Sequence, residues 1–222
     1  MEARFQSTIQ GDLLTKDALF KFARAFFGVE SRGKGTYLEF GVLNGGGIVA
    51  AYGSLRGYLS KFYGFDTFQG LPKLDPIDQR GLELMPIFCA GNFKSMPRET
   101  VLSSIIANAN GLKDEDVVLV EGLFEKTLPS FDKDLIRKDG PVLMINVDCD
   151  LYSSSKDVFN FIDDLVEDGT WLLLDDYWCY RGSPKFGQRR AFDEWMKESK
   201  RVGATEYSSY NGFCKAFILH IK

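Results

Sequence analysis

The sequence predicts an α/β fold built on a mostly parallel sheet, and three observations carry this prediction. A short apolar strand, a glycine-rich turn and an apolar helix follow one another over residues 36–52. Predicted strands and helices then alternate along the chain, which is typical of a parallel sheet with helices on both faces. Near the end, two strands are joined through Asn211-Gly212, a strong hairpin signal that predicts one antiparallel strand.

The first predicted element is a helix whose apolar residues recur at helical spacing. These residues are Leu13, Leu14, Leu19, Phe20, Phe22, Ala23, Phe26 and Phe27. Such a stripe would cover the sheet or pack on a second copy of the chain, so a homo-oligomer is expected. A buried strand then covers Tyr37–Phe40, a helix runs to about Leu59, and a second strand, Phe62–Phe65, ends on Asp66.

Residues 70–116 interrupt the alternation of strands and helices. Prolines and glycines break any long element there, although Thr100–Asn108 could form a short helix. Loops of this length inside a compact domain are usually functional. We therefore predict a lid-like insertion at about 73–116 within a single domain spanning 1–222.

Five more strands complete a seven-stranded sheet with a C-terminal hairpin. They cover Val117–Val120, Val142–Val147, Trp171–Leu174, Thr205–Ser209 and Phe213–Ile221. The helix after the fourth strand is expected to begin at Ser154, three residues before Asp157, as in a capping box, and to stop at Gly169. A further helix is predicted around Ala191–Lys200.

Composition excludes several classes of partner. The net charge is −4, and no basic stripe suggests a nucleic-acid partner. No apolar stretch approaches the ~18 residues needed to span a membrane, and the first residues show no signal-peptide pattern. Four scattered cysteines without a CxxC pair predict reduced thiols and a cytoplasmic protein.

The glycine turn predicts the ligand. Strand, glycine turn and helix cradle nucleotide-like cofactors, because glycine lets the backbone approach the ligand closely. Glu39 stands where a dinucleotide-binding fingerprint has its first glycine, and a carboxylate there would repel pyrophosphate. It would suit a ligand carrying an ammonium and a sulfonium, which is S-adenosylmethionine. Asp66 follows Gly45 by 21 residues, close to the roughly 20-residue interval at which such sheets place an acid for ribose hydroxyls.

Acidic residues follow several of the predicted parallel strands, where ligands bind in open α/β sheets. They are Glu39, Asp66, Glu121, Asp148, Asp150, Asp175 and Asp176. Carboxylates gathered in one place must be protonated or hold a cation, and oxygen ligands without histidine or thiolate select Mg²⁺, Mn²⁺ or Ca²⁺. Alternatively, each aspartate caps the helix that follows it. The only histidine, His220, lies in the last strand, so an aspartate must act as general base.

Five sequence blocks resemble the macrocin O-methyltransferase (TylF/MycF-like) family of class I S-adenosylmethionine-dependent methyltransferases. They are YLEFGVLNGG at 37–46, FDTFQGLP at 65–72, EGLFEKTLP at 121–129, NVDCDLYSSS at 146–155 and LLDDYW at 173–178. The resemblance implies a Rossmann-like class I methyltransferase fold. It also implies Mg²⁺-dependent methylation of a hydroxyl on a sugar or related small metabolite.

Site residues carry over from the matched blocks. The resemblance implies Asp148, Asp175 and Asp176 as metal ligands, with Asp148 also the catalytic base. It implies cofactor contacts at Glu39, Gly41, Gly45, Asp66, Thr67, Phe68, Gly122 and Asp148. The chain departs from the family at LNGGG, where WRGG is more usual, and the 73–116 segment aligns poorly.

Two other functions compete with this interpretation. A metal-dependent glycosyltransferase would use Asp148-Cys149-Asp150 as its DxD motif, but the glycine turn and Asp66 would then have no role. A cofactor-binding accessory protein without catalysis would have no need of Asp148, Asp175 and Asp176.

Overall fold

The computed structural model describes residues 14–29 and 34–222. The α-helices, numbered in chain order, are α1 Lys16–Val29, α2 Gly46–Leu55, α3 Pro76–Gly81, α4 Arg98–Asn108, α5 Phe124–Thr127, α6 Lys133–Lys138, α7 Tyr152–Ile162 and α8 Gly187–Glu198. The strands are β1 Gly35–Phe40, β2 Leu59–Asp66, β3 Val117–Glu121, β4 Val142–Val147, β5 Thr170–Leu174, β6 Val202–Tyr210 and β7 Cys214–Ile221. Single 3₁₀ turns lie at Pro86–Phe88, Asp114–Asp116, Leu128–Ser130 and Tyr180–Gly182.

All seven strands form one sheet in the order β3-β2-β1-β4-β5-β7-β6. The first five are parallel, and β7 runs antiparallel to both β5 and β6. The β6–β7 turn uses Asn211 and Gly212, with φ of 48° and 78°, as the Asn-Gly signal predicts. The predicted fold class, a mostly parallel seven-stranded sheet with a C-terminal hairpin, is confirmed.

Side chains alternate across the sheet and build a core on each face. Tyr37 of β1 packs in the core that holds α1, α2 and α4, whereas Leu38 packs in the core that holds α7 and α8. Helix α1 buries Leu19, Phe20, Ala23 and Phe27 completely, so its apolar stripe covers the sheet.

Leu13 and the N-terminal segment tested for a signal peptide lie outside the described residues. No helix of the described ranges is long and apolar enough to cross a membrane.

Several predicted boundaries are wrong because a turn lies inside the predicted element. Helix α2 ends at Leu55 and not near Leu59, since Gly57 takes a φ of 100° and the Tyr58 amide turns back onto Leu55. Strand β2 therefore begins at Leu59. Helix α8 begins at Gly187 and ends at Glu198, and α7 ends at Ile162, before the predicted stop at Gly169.

The predicted capping box at Ser154 is also wrong. Helix α7 begins two residues earlier, and Ser154 is a buried residue inside it. The cap of helix α7 comes from Asp78 of α3. The Asp78 carboxylate accepts hydrogen bonds from the Tyr152 amide at 2.8 Å, the Ser153 amide at 3.2 Å and the Ser153 hydroxyl at 2.7 Å. A distant acid satisfies the free amides of the helix start, so no local cap is needed.

The interval predicted as lid-like consists of two unlike parts. Helix α4 buries Val101 and Ile105 in the core beside α2, so this part supports the sheet. The earlier part, around α3, packs through Leu74 and Phe88 against the chain that follows β4 and β5. Phe93 from that part, together with Leu71 and Pro72 just before the interval, lines the cleft described next.

Candidate active site

A cleft of about 410 Å³ opens at the carboxyl ends of the parallel strands. This volume lies within the range of small-molecule sites, roughly 300–1,000 Å³. Its lining includes Glu39, Gly41, Asp66, Asp148 and Asp150, each just at or beyond the end of a strand. Parallel strands thus bring these acids together at one edge, as their positions in the sequence predict.

Glu39 is a buried carboxylate beside the cleft with an unused hydrogen-bonding atom. Only 2% of the residue is exposed, and Oε1 accepts a 3.0 Å hydrogen bond from the Asn146 amide. Oε2 makes no well-formed hydrogen bond among the described residues, although the nearby buried Tyr37 hydroxyl interacts with Glu39. Burial raises the pKa of Glu39 to about 7, although Lys16 and Tyr37 oppose the rise. An unpaired buried carboxylate oxygen fits a cationic ligand group such as an ammonium.

The glycine turn leaves no space for side chains at Gly41, Gly45 and Gly47, and a Cβ at Gly45 would lie 2.3 Å from Cγ1 of Ile105. A Cβ at Gly41, whose φ is 91°, would lie 1.7 Å from the Asp148 carbonyl oxygen. A Cβ at Gly47 would lie 1.8 Å from Oε1 of Glu39. These contacts bring the ends of β1 and β4 and the start of α2 together at the cleft.

Asp66 holds the glycine turn in place. Its Oδ2 accepts the amides of Val42 at 2.7 Å and Leu43 at 2.9 Å, while Oδ1 accepts the Phe68 amide at 2.7 Å. Leu43 has a φ of 49°, an uncommon conformation for a leucine, and this bond helps to fix it. The sequence pattern gave no sign of this scaffold role, since it rests on backbone amides of a turn 23 and 24 residues earlier.

Other predicted cofactor residues divide between the cleft and its surroundings. Thr67 lines the cleft, and its hydroxyl donates to the Gly70 carbonyl at 2.8 Å. Phe68 is 1% exposed and packs in the core of the α1 face. Gly45 and Gly122 are each next in sequence to a residue that lines the cleft. Glu121, the last residue of β3, is exposed and is not part of the lining.

Asp148 and Asp150, which line the cleft, form a carboxylate cluster with Asp175 and Asp176. Asp176 is fixed by the Asp150 amide, which donates to its Oδ2 at 3.0 Å, and by its own amide, which donates to Gln188 at 2.9 Å. Burial and then the negative charge of its neighbours raise the pKa of Asp148 well above its usual range. The same two causes raise the pKa of Asp150 to about 8.

Lys16, the first residue of α1, inserts its ammonium into this cluster. Nζ lies 2.6 Å from Oδ2 of Asp175, and Oδ1 of Asp175 accepts the Tyr210 hydroxyl at 2.5 Å. Burial by itself would lower the pKa of Lys16, but Asp175, Asp148 and Glu39 together raise it. Sequence reasoning missed Lys16, because 159 residues separate it from Asp175 and no motif surrounds it.

The predicted metal ligands are brought close to one another, but they do not surround a common point. As the side chains lie, no group of three acids, histidines or cysteines in the described ranges could hold a metal ion. Both oxygens of Asp175 already accept hydrogen bonds, from Lys16 and Tyr210. A divalent ion on Asp148, Asp175 and Asp176 would therefore require side chains to move, and at Asp175 it would meet the Lys16 ammonium.

Similar proteins of known structure share this fold. The chain superimposes on the O-methyltransferase NovP with a TM-score of 0.71 and 20% identity, over 91% of this chain and 78% of the other. It superimposes on the calicheamicin methyltransferase CalS11 with a TM-score of 0.65 and 21% identity, over 92% and 80%. At these identities the likeness shows the fold alone.

Curated relatives are similar in sequence over part of their length. The mycinamicin III 3''-O-methyltransferase of Micromonospora griseorubida is 26% identical over 179 residues, which cover 76% of this chain and 66% of that protein. The demethyldecarbamoylnovobiocin O-methyltransferase of Streptomyces niveus is 27% identical over 146 residues, covering 64% and 53%. The aligned part thus spans between about half and two thirds of these relatives.

The family model for macrocin O-methyltransferase (TylF) matches residues 22–202. The match extends from α1 to the start of β6 and includes the glycine turn, Asp66 and the carboxylate cluster. It covers well over half of the chain, and the five sequence blocks lie within it. The chain belongs to the macrocin O-methyltransferase (TylF) family.

Proposed function

We propose that this chain is an enzyme that transfers the methyl group of S-adenosylmethionine to a hydroxyl of a sugar or a related small metabolite. The observation that carries the proposal is the juxtaposition, in one cleft, of the unpaired Glu39 carboxylate oxygen and the Asp148 carboxylate. The first suits the cationic end of the cofactor, and the second suits proton removal from an acceptor. Relatives named as methyltransferases for mycinamicin III and for a rhamnosyl-tetracenomycin support a sugar-bearing acceptor.

The cofactor would lie along the glycine turn. In this arrangement Glu39 binds the methionine ammonium, the backbone at Gly41 and Gly45 follows the ligand, and Asp66 and Thr67 face the ribose and adenosine. A carboxylate offers roughly four lone-pair positions, so Asp66 retains capacity beyond its three backbone contacts. Two proteins of the same fold, TomG in complex with SAM and SAH-bound PaMTH1, are described with the cofactor or its product.

Asp148 is the proposed general base. It follows β4, where its amide donates to the Phe40 carbonyl at 2.8 Å and fixes the residue at the cleft. Its raised pKa brings the carboxylate closer to the working range of a general base. The acceptor hydroxyl gives its proton to Asp148, an O–C bond forms to the methyl group, and the C–S bond breaks. The sulfonium leaves as a neutral thioether.

The Mg²⁺ implied by the family resemblance would be held by Asp148, Asp175 and Asp176. The donor chemistry fits, because hard divalent ions such as Mg²⁺, Mn²⁺ and Ca²⁺ prefer carboxylate oxygen. The Lys16 ammonium at Asp175 marks a place where positive charge is stabilised. When bound, the ion would polarise the acceptor hydroxyl and favour its ionisation.

A homo-oligomer and a cytoplasmic location also stay predictions.

An assay with methyl-labelled S-adenosylmethionine and a panel of sugar-bearing and phenolic metabolites tests the proposal. We expect label transfer to at least one hydroxyl. In Asp148→Asn the rate of transfer should fall at least about 100-fold, because general-base catalysis typically contributes about 10²- to 10⁴-fold. Asp114→Asn, an exposed acid before β3, is the matched control. Cofactor binding without transfer to any acceptor would favour an accessory protein, and turnover of a nucleotide sugar would favour a glycosyltransferase.

A further inference from the structure

Lys16 makes an ion pair within the carboxylate cluster that the proposed reaction does not use. Its Nζ lies 2.6 Å from Oδ2 of Asp175, and the two side chains are only 18% and 15% exposed. Among the described residues that line the cleft, Lys16 is the only cationic side chain. It therefore differs from the surface ion pairs of the chain, such as Lys113 with Glu115, whose side chains are more than 70% exposed.

The start of α1 is held in place by contacts on both sides of Lys16. The Thr15 hydroxyl accepts the Ala18 amide at 3.2 Å, and the Leu14 carbonyl accepts the Asn211 amide of the β6–β7 turn at 2.9 Å. One turn further on, Leu19 and Phe20 are completely buried. The backbone of Lys16 is thus anchored to the core, so withdrawal of the ammonium from Asp175 would require only rotation of its four-carbon side chain.

The ammonium lies where a divalent ion is expected. It contacts Asp175 and is stabilised by the charges of Asp148 and Glu39. Asp148 and Asp175 are two of the three expected metal ligands. A divalent ion bound at Asp175 would lie only a few ångströms from the Lys16 ammonium, and two cations at that separation repel each other.

We propose that Lys16 is an exchangeable internal cation, which occupies the cation position at Asp175 and must withdraw from it before a divalent ion binds. This inference rests on the proposed function, because the expected ligands come from it. Its consequence is that one positive charge already offsets part of the negative charge of the cluster in the metal-free protein. Divalent ions are then bound more weakly than three carboxylates alone would allow.

The test is a titration of metal-stripped protein with Mn²⁺, in which free Mn²⁺ is measured by electron paramagnetic resonance. We expect Lys16→Gln to bind Mn²⁺ at least about tenfold more tightly than wild type, because the competing charge is gone. Lys16→Arg keeps the charge and should stay close to wild type. Lys21→Gln removes an exposed lysine of the same helix and is the matched control. Asp175→Asn added to Lys16→Gln should abolish the gain.

Unchanged or weaker Mn²⁺ binding in Lys16→Gln would overturn the proposal, and so would tighter binding that persists without the Asp175 carboxylate. If Lys16→Gln does not fold, wild-type protein labelled with ¹³C-lysine replaces it. The Lys16 resonance, assigned with Lys16→Arg, should move toward the exposed lysines as Mg²⁺ saturates. If Mg²⁺ saturates the protein and the Lys16 resonance does not move, the ammonium has not left Asp175 and the proposal is wrong. Calorimetry with S-adenosylmethionine on the same samples tests the proposed function separately.

Discussion

A Cβ atom at Gly47 would lie 1.8 Å from Oε1 of Glu39. The first turn of α2 therefore packs against the last residues of β1 with no room for even a methyl group. The Glu39 carboxylate cannot move aside freely, because Oε1 is held by Asn146 and the side chain is buried. At Gly53, later in the same helix and outside the cleft lining, a Cβ would have no described atom within 4 Å.

Gly47→Ala should therefore weaken S-adenosylmethionine binding by at least about tenfold, equivalent to about 1.4 kcal/mol. The new methyl group would displace the carboxylate that is proposed to bind the cofactor ammonium. Gly53→Ala, at an exposed position of the same helix, is the matched control and should bind the cofactor with wild-type affinity. Isothermal titration calorimetry on wild type and the two variants measures the three affinities. Equal affinities for Gly47→Ala and Gly53→Ala would show that Glu39 does not contact the ligand.

Asp66→Ala should destabilise the protein even without cofactor. Three backbone amides, those of Val42, Leu43 and Phe68, would lose their acceptor, and unsatisfied groups cost about 1–3 kcal/mol. Asp66→Asn keeps one acceptor oxygen and should lose less. Urea unfolding of the cofactor-free proteins measures both effects. A stability equal to wild type in Asp66→Ala would mean that the carboxylate serves the ligand alone.

Asp78→Ala should destabilise the chain by removing the distant cap of α7. Loss of a capping side chain typically costs about 0.5–2 kcal/mol, and here two amides and a hydroxyl lose their acceptor. Asp75→Ala is the control, because Asp75 is exposed and caps α3 without a side-chain hydrogen bond. Thermal unfolding should show a clear decrease in Tm for Asp78→Ala only. Equal decreases would place the effect in α3 itself and not in α7.

Cofactor affinity should rise with pH in the neutral range. The pKa of Glu39 is raised to about 7 by burial, so the free protein holds this carboxyl mostly protonated at about pH 6 and mostly ionised at about pH 8. The cofactor ammonium pairs with the ionised form, so binding becomes about tenfold tighter across this range and levels off above it. Glu39→Gln should bind weakly with no such dependence. Calorimetry at several pH values tests this, and affinity that falls with rising pH would contradict it.

The raised pKa of Glu39 should make its contribution to the stability of the cofactor-free protein fall as pH rises. The folded state holds the Glu39 proton more tightly than the unfolded chain, whose glutamate has an ordinary pKa. The contribution of Glu39 to stability is therefore greatest below the unfolded pKa and is lost as pH rises toward about 7. Comparing the pH dependence of unfolding in wild type and Glu39→Gln isolates this effect. Cofactor binding and apo stability should thus respond to pH in opposite directions.

Local patterns determined the secondary structure and the residue types of the candidate site. Apolar strands, the glycine turn and Asn211-Gly212 are set by side-chain spacing and turn chemistry within a few residues. For the same reason, the sequence predicted that Glu39, Asp148 and Asp175 meet at one edge, because parallel strands end there. The boundary errors fell at turns such as Gly57, where several local conformations satisfy the same pattern.

Only the tertiary structure decided which partners these residues have. Lys16 and Asp175 are 159 residues apart, and Asp78 and Tyr152 are 74 apart, so no sequence window contains either pair. A buried charge or a free helix amide must find a partner, but its identity depends on which segments the packed core brings alongside. The sequence by itself placed the carboxylates at the end of the sheet. Folding placed the Lys16 ammonium among them, because the buried face of α1 aligns that helix on the sheet.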